Sequence, residues 1–129
     1  MAMFDRFRLQ ALLRITAVLL ARAARRSARL RTMLGDAPFV FQIATEQGVG
    51  GWFALRDGRL RYHPGLHPAP DFAQIWASAG EALAVMTSRD ETALMRAVNT
   101  GRCRMQGQFI HALWFNEATR IATGKAKTA

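Results

Sequence analysis

The chain has 129 residues and a mass of 14.4 kDa, the length of one ordinary domain, and it can bury roughly two-thirds of the surface that its unfolded form exposes. Of its residues 50% are hydrophobic and 21% charged, which excludes wholesale disorder. Its single cysteine, Cys103, excludes a disulfide-framed scaffold and a multi-cysteine zinc module. The formal net charge of +9 is unevenly placed: residues 1–35 hold eight arginines against one acid, residues 36–120 balance eight arginines against eight acids, and Lys125 and Lys127 follow. A neutral body with a basic leader and a short basic tail is attracted to anionic surfaces, whether nucleic acid, acidic lipid or acidic protein.

Met3 to Leu34 contains no proline or glycine and is rich in alanine, leucine and arginine, so it reads as one long helix or two shorter ones. One stripe at helical spacing is Leu9, Leu12, Thr16, Leu19, Leu20, Ala23, Ser27, Leu30, Leu34. The opposite stripe is apolar in its first half (Phe4, Phe7, Ala11, Ile15, Val18) and basic in its second (Arg22, Arg25, Arg26, Arg29). A helix apolar on two faces wants burial on both sides or a lipid interface. The longest uncharged stretch in the leader, Ile15 to Ala21, is seven residues, against the roughly 20 apolar residues of a spanning helix. Arginines 22, 25 and 26 stand where the cleavage site of a secretory signal would follow; a mitochondrial presequence is nearer in composition. The expected compartment is the cytoplasm, peripheral to the inner membrane where the basic helix meets lipid.

Gly35 and Pro38 end the helical region. Phe39 to Thr45 alternates as a strand, Gly48, Gly50 and Gly51 make a turn, and Trp52 to Arg56 is a second strand. Asp57-Gly58 is a hairpin signal leading into Arg59 to His63. Pro64, Gly65, Pro68 and Pro70 fill a loop, and Asp71 to Ala77 is a fourth strand. Ser78-Ala79-Gly80-Glu81 and Ser88-Arg89-Asp90-Glu91 both fit the capping box that opens a helix. The first helix runs to about Met86; the second carries Leu94, Met95 and Val98 and stops at Asn99-Thr100-Gly101. Arg102 to Gln106 is a fifth strand, and Gln108 to Thr123 is a closing helix. The expected fold is α+β: an antiparallel five-stranded sheet with helices on one face, preceded by a long basic helix. The organisation read from this order is a helical leader at 1–35, a domain at 36–123 and a basic tail at 124–129.

Residues 39–122 resemble the sterol carrier protein 2 (SCP2-like) lipid-binding domain family, in a bacterial form with an extra N-terminal helix. The likeness rests on the order of elements, on Pro70-Asp71-Phe72-Ala73-Gln74-Ile75 opening the fourth strand, and on Gly101-Arg102-Cys103-Arg104-Met105-Gln106-Gly107 before the last helix. Family members commonly have Asp after the second glycine, where this chain has Gln108. The nearest functional analogues are bacterial accessory factors of ubiquinone synthesis, which place a similar domain beside additional helices.

The resemblance implies an apolar tunnel between sheet and helices that holds a lipid, an isoprenoid or quinone precursor, an acyl chain or a sterol-like molecule, with no catalysis and no cofactor. The lipid-contacting candidates are Phe41, Trp52, Ile75, Met86, Met95, Met105 and Trp114; methionine suits irregular apolar sites. Arg22, Arg25, Arg26 and Arg29 would meet anionic headgroups or a biosynthetic partner protein, and the two-faced helix also suits a homodimer. A second reading makes the arginine helix the nucleic-acid or scaffold-binding part of a basic module; the neutral body and the lack of an RNA-module signature weigh against nucleic acid. A third is an enzyme using Asp71, Glu81 or Glu117, but nothing pairs them with a base or nucleophile. His63, His67 and Asp71 are spaced four apart, which gathers metal ligands only on a helix, and Pro64, Pro68 and Pro70 forbid one there; no metal is expected. Cys103 reads as inert and His111 as structural.

Overall fold

Ser27 divides the leader helix in two. In the computed structural model, which describes residues 2–124, α1 spans Ala2–Arg26 and α2 spans Ala28–Met33. Ser27 between them is extended (φ −112°, ψ 112°), and its hydroxyl accepts a hydrogen bond from the Leu30 N–H. A serine that caps a new helix competes with continuation of the old one. Lys125 and Lys127 of the expected basic tail lie outside the described residues.

The strands are β1 (Phe39–Thr45), β2 (Gly50–Arg56), β3 (Arg59–Pro64), β4 (Phe72–Trp76) and β5 (Cys103–Gly107), and the remaining helices are α3 (Ala79–Met86), α4 (Ala93–Asn99) and α5 (Phe109–Ala122). They form one sheet in the order β3-β2-β1-β4-β5. The expected antiparallel sheet is mixed. β1–β2, β2–β3 and β4–β5 are antiparallel, but β1 and β4 are parallel, with Phe41 beside Phe72 and Thr45 beside Trp76. The cause is the proline-rich loop. It leaves β3 at the Gly51 end of the sheet and returns over the open face to the level of Val40, so β4 starts level with the beginning of β1. Seven residues reach up to about 24 Å, enough to cross the two intervening strands. Reciprocal bonds fix the arrival: the Val40 N–H donates to the Asp71 carboxylate at 2.7 Å, and the Asp71 N–H to the Val40 carbonyl at 2.9 Å.

The register sorts the strand residues into two faces. Phe39, Phe41 and Ile43 lie level with Leu55, Phe53 and Gly51 of β2, and Phe41 also with Phe72 of β4. This is the helix side. Phe41 stacks on Phe115 of α5 at 4.4 Å between ring centroids and on Phe72 at 5.4 Å, while Phe53 meets Phe115 at 4.8 Å. Helix α1 shares this core. Leu9, Leu13, Leu20 and Ala23 are buried together with Leu30 of α2 and the strand aromatics. Leu13 is more deeply buried than Leu12, because four residues after Leu9 is nearer a full helical turn than three. A polar pin adds direction: the Tyr62 hydroxyl donates to Gln10 Oε1 at 2.6 Å, and Gln10 Nε2 donates to the Gly50 carbonyl at 2.7 Å.

Positive φ matters most at two places. Asp57 (55°) and Gly58 (76°) close the β2–β3 hairpin. Gly107 (φ 105°) ends β5 so close to the Asp71 carbonyl that a side chain would collide with it. The first capping serine behaves as expected, since Ser78 accepts from the Glu81 N–H at 3.1 Å. The second motif is corrected. Ser88 accepts from the Asp90 N–H and Asp90 from the Thr92 N–H, so the box becomes a run of local turns and α4 starts only at Ala93.

Because α1 carries core residues, Leu13→Ala should cost about 2–5 kcal/mol and Phe41→Ala about 3–5 kcal/mol. Urea unfolding followed by circular dichroism should show one transition shifted to lower denaturant in both variants. An unchanged midpoint for Leu13→Ala would mean that α1 lies outside the cooperative unit.

Candidate functional site

The aromatic stack fills the middle of the layer between sheet and helices, so open apolar space lies towards its ends. At one end Leu20 and Ala24 of α1, Leu30 and Leu34 around α2, and Leu60 on β3 line a groove of about 310 Å³, with Arg59 and Arg61 at its rim. That volume is at the lower bound of small-molecule sites, and a leucine-lined cleft suits hydrocarbon. At the other end the helical cover is incomplete. On the helix side of β4–β5, the Phe72–Gly107 and Trp76–Cys103 pairs flank the Gln74–Met105 pair. Phe72, Trp76 and Cys103 are buried, while Gln74 and Met105 are only half-buried. The helices beside this gap, α4 over β5 and the start of α5 over Phe72, expose Met95, Phe109, Ile110 and Leu113 at 54–67%.

The sequence-derived lipid candidates do not share one cavity. Phe41 is closed inside the aromatic stack. Met105 lies in the β4–β5 gap, and Met86 is half-buried at the end of α3. Met95, expected inward, is exposed, because the buried side of α4 centres on Ala97. Trp114 is half-buried against Phe39, and its indole N–H donates to the Met33 carbonyl and the Asp36 carboxylate. Trp52 and Ile75 lie on the opposite face of the sheet, since Trp52 is level with Gln42 and Ile75 with Ala44. Leu60 was not singled out by the sequence, although its place two residues after Asp57-Gly58 put it on the hairpin's helix side; Leu20, Leu30 and Leu34 were visible as the apolar stripe.

Arg22, Arg25, Arg26 and Arg29 are all exposed. Arg29 pairs with Glu117 at 3.1 Å and Arg26 donates to the Ala122 carbonyl at 3.3 Å, so both also tie the α1–α2 corner to α5. Phe4, Phe7, Ile15 and Val18, on the same side of α1 as Arg22 and Arg25, are 51–72% exposed. The carboxylates considered for catalysis have structural partners: Asp71 the Val40 N–H, Glu81 the Arg102 guanidinium at 3.4 Å, and Glu117 the arginines of α2 and α5. Among the described residues no cluster of three or more His, Cys, Asp or Glu side chains is arranged to hold a metal.

Solved structures share this architecture. The chain superimposes on a ubiquinone synthesis protein, UbiJ-SCP2, with a TM-score of 0.63 at 17% identity, covering 90% of this chain and 98% of that one. The chain has the sterol carrier protein 2 fold. A sterol carrier protein 2 crystal structure matches at TM-score 0.53 and 18% identity, covering 84% of this chain and 93% of the other. The sterol carrier protein domain 2 of Helicoverpa armigera matches at 0.55 and 14%, covering 88% and 89%. No family model matches the sequence. No curated protein matches it either.

Cys103, facing the layer between sheet and helices, is buried, and burial pushes its thiol from about 9 up to about 11. Native protein should therefore resist iodoacetamide at pH 8 and react once unfolded. A thiol held protonated in the fold but free to ionise in the unfolded chain leaves stability unchanged below pH 9 and lowers it as pH rises from 9 to 11. Cys103→Ala should flatten that alkaline loss in thermal melts.

Proposed function

We propose that the protein binds and presents the hydrocarbon part of a lipid in the apolar layer between sheet and helices, without catalysing a reaction on it. The observation that carries this is the leucine-lined groove between the α1–α2 corner and the β2–β3 hairpin; at the other end of the layer Met105 is half-buried. Each methylene removed from water contributes about 0.8 kcal/mol, so an acyl or isoprenoid chain is held without hydrogen bonds. The likeness to a ubiquinone synthesis protein supports a role as an accessory factor in the synthesis of a quinone or another lipid.

Helix α1 supplies the delivery surface. Its outward face presents Phe4, Phe7, Ile15 and Val18 with exposed Arg8 and Arg14 beside them, and Arg22 and Arg25 further along, and a helix of this kind lies in the plane of an anionic membrane interface. No helix among the described residues is long and apolar enough to cross a membrane.

Purified protein should carry, or take up, one long-chain lipid per molecule in native mass spectrometry, and Leu60→Gln should weaken uptake of a fluorescent fatty acid. Protein that is empty and takes up no such probe would end the lipid reading. Co-sedimentation with phosphatidylglycerol vesicles should fall more than about tenfold in Phe4→Ser/Phe7→Ser, since a buried phenylalanine contributes about 1.5–3 kcal/mol. A dimer lost in the same variant without lipid would instead make this face a subunit seam.

A further inference from the structure

The face of the sheet turned away from the helices carries a second, polar groove of about 790 Å³. β2 and β3 set Arg56 opposite Arg59, Ala54 opposite Arg61 and Trp52 opposite His63. Like charges directly opposite each other weaken a strand pair. Among the described residues none of these three arginines forms an ion pair. Asp57 and Asp71 also line the groove; neither forms an ion pair with these arginines, and three guanidinium groups against two carboxylates leave the groove an excess of positive charge.

The other end of the groove is aromatic and fixed. Trp52 stacks on His63 at 4.1 Å and meets the edge of His67 at 4.7 Å. The His67 backbone N–H donates to Gln42 Oε1 at 2.6 Å, and its Nδ1 accepts from the Ala69 N–H at 3.0 Å. Nε2 is then the ring's N–H donor. From the Arg56–Arg59 pair to the Trp52–His63 pair is four strand positions, about 13 Å.

We propose that this groove binds a soluble small molecule bearing a phosphate or diphosphate group. The guanidinium forks of Arg56, Arg59 and Arg61 take the anionic oxygens, and the organic part lies over Ala54 towards Trp52 and His63. An anion there also removes the repulsion within the Arg56–Arg59 pair. The assignment to a soluble ligand follows from the layers: the groove is on the opposite side of the sheet from α1, whose outward face carries the apolar and basic residues that suit a membrane. Arg59 and Arg61, on the edge strand β3, also stand at the rim of the leucine-lined groove, so fatty-acid uptake retained in Arg59→Gln keeps the two sites distinct.

Titration calorimetry with inorganic pyrophosphate at low salt tests it on the full chain. One saturable site is expected, with a rise in thermal midpoint on binding. Arg59→Gln should weaken binding about tenfold or more, as loss of a charge-assisted hydrogen bond does, while melting no lower than wild type without ligand. Arg89→Gln, which removes the same charge elsewhere, should bind like wild type. Absence of saturable binding, or equal weakening by Arg89→Gln, overturns the site. Binding confined to phosphatidic acid vesicles and lost in Arg59→Gln overturns the soluble ligand.

Discussion

Phe115 is where the closing helix and the central strands meet. Its ring lies against Phe41 and Phe53, and Phe41 passes the contact on to Phe72. Three strands and a helix are thereby held by one aromatic cluster, each contact adding a preference for offset or tilted geometry to the area buried. The cluster decides what the rest of the layer can be. It occupies the centre, so any volume left for a hydrocarbon lies at the hairpin end, among Leu20, Leu30 and Leu60, or at the β5 end, beside Met105.

Helix α1 works in two directions. Its inner face closes the layer through Leu9, Leu13, Leu20 and Ala23, and its place is set by the Gln10 bridge between Tyr62 and Gly50. Burial of the Tyr62 hydroxyl raises its pKa, while the Arg14 guanidinium near its ring acts in the opposite direction. The outer face keeps large apolar side chains in water, an arrangement that a solvated helix has no reason to retain. On the proposed reading, the helix that closes the leucine-lined groove also carries the exposed apolar face, so a lipid would have a short route from bilayer to groove.

The sheet also separates two chemistries. Its helix side is aromatic and aliphatic; its open side carries arginines, histidines and Trp52, crossed by the proline loop through the Gln42–His67 bond. At the far edge of that open side Glu46 holds Arg104 through two hydrogen bonds of 3.1 Å, which lower the carboxyl pKa and raise that of the guanidinium. Among the described residues Arg56, Arg59 and Arg61 form no such pair, so the arginine at one end of the face is held by a carboxylate and those at the other end are not.

Local signals carried most of the elements. Alternation marked β1, Asp57-Gly58 marked the hairpin, and Ser78 with Glu81 marked the start of α3, because each depends on residues a few positions apart. The element order and the glycine-bounded β5 were enough to suggest the fold. What chain-local patterns could not decide were relations between distant segments. The parallel β1–β4 pair depends on where a proline loop lands, and Asp71 meeting Val40 is a contact across 31 residues. Whether Phe4 or Leu9 faces inward was undecidable on a helix apolar on both sides; the sheet chose, by offering Tyr62 to Gln10. The candidate site divided in the same way. The family resemblance together with residue type nominated Phe41, Trp52 and Met105 together, but strand register put Trp52 on the other face and the aromatic stack closed over Phe41. The sequence by itself determined periodicity, charge segregation and turn positions, which are properties of neighbouring residues. Only the tertiary structure decided strand direction, which helix face is buried and which apolar residues remain open to a ligand, because those depend on contacts between segments far apart in the chain.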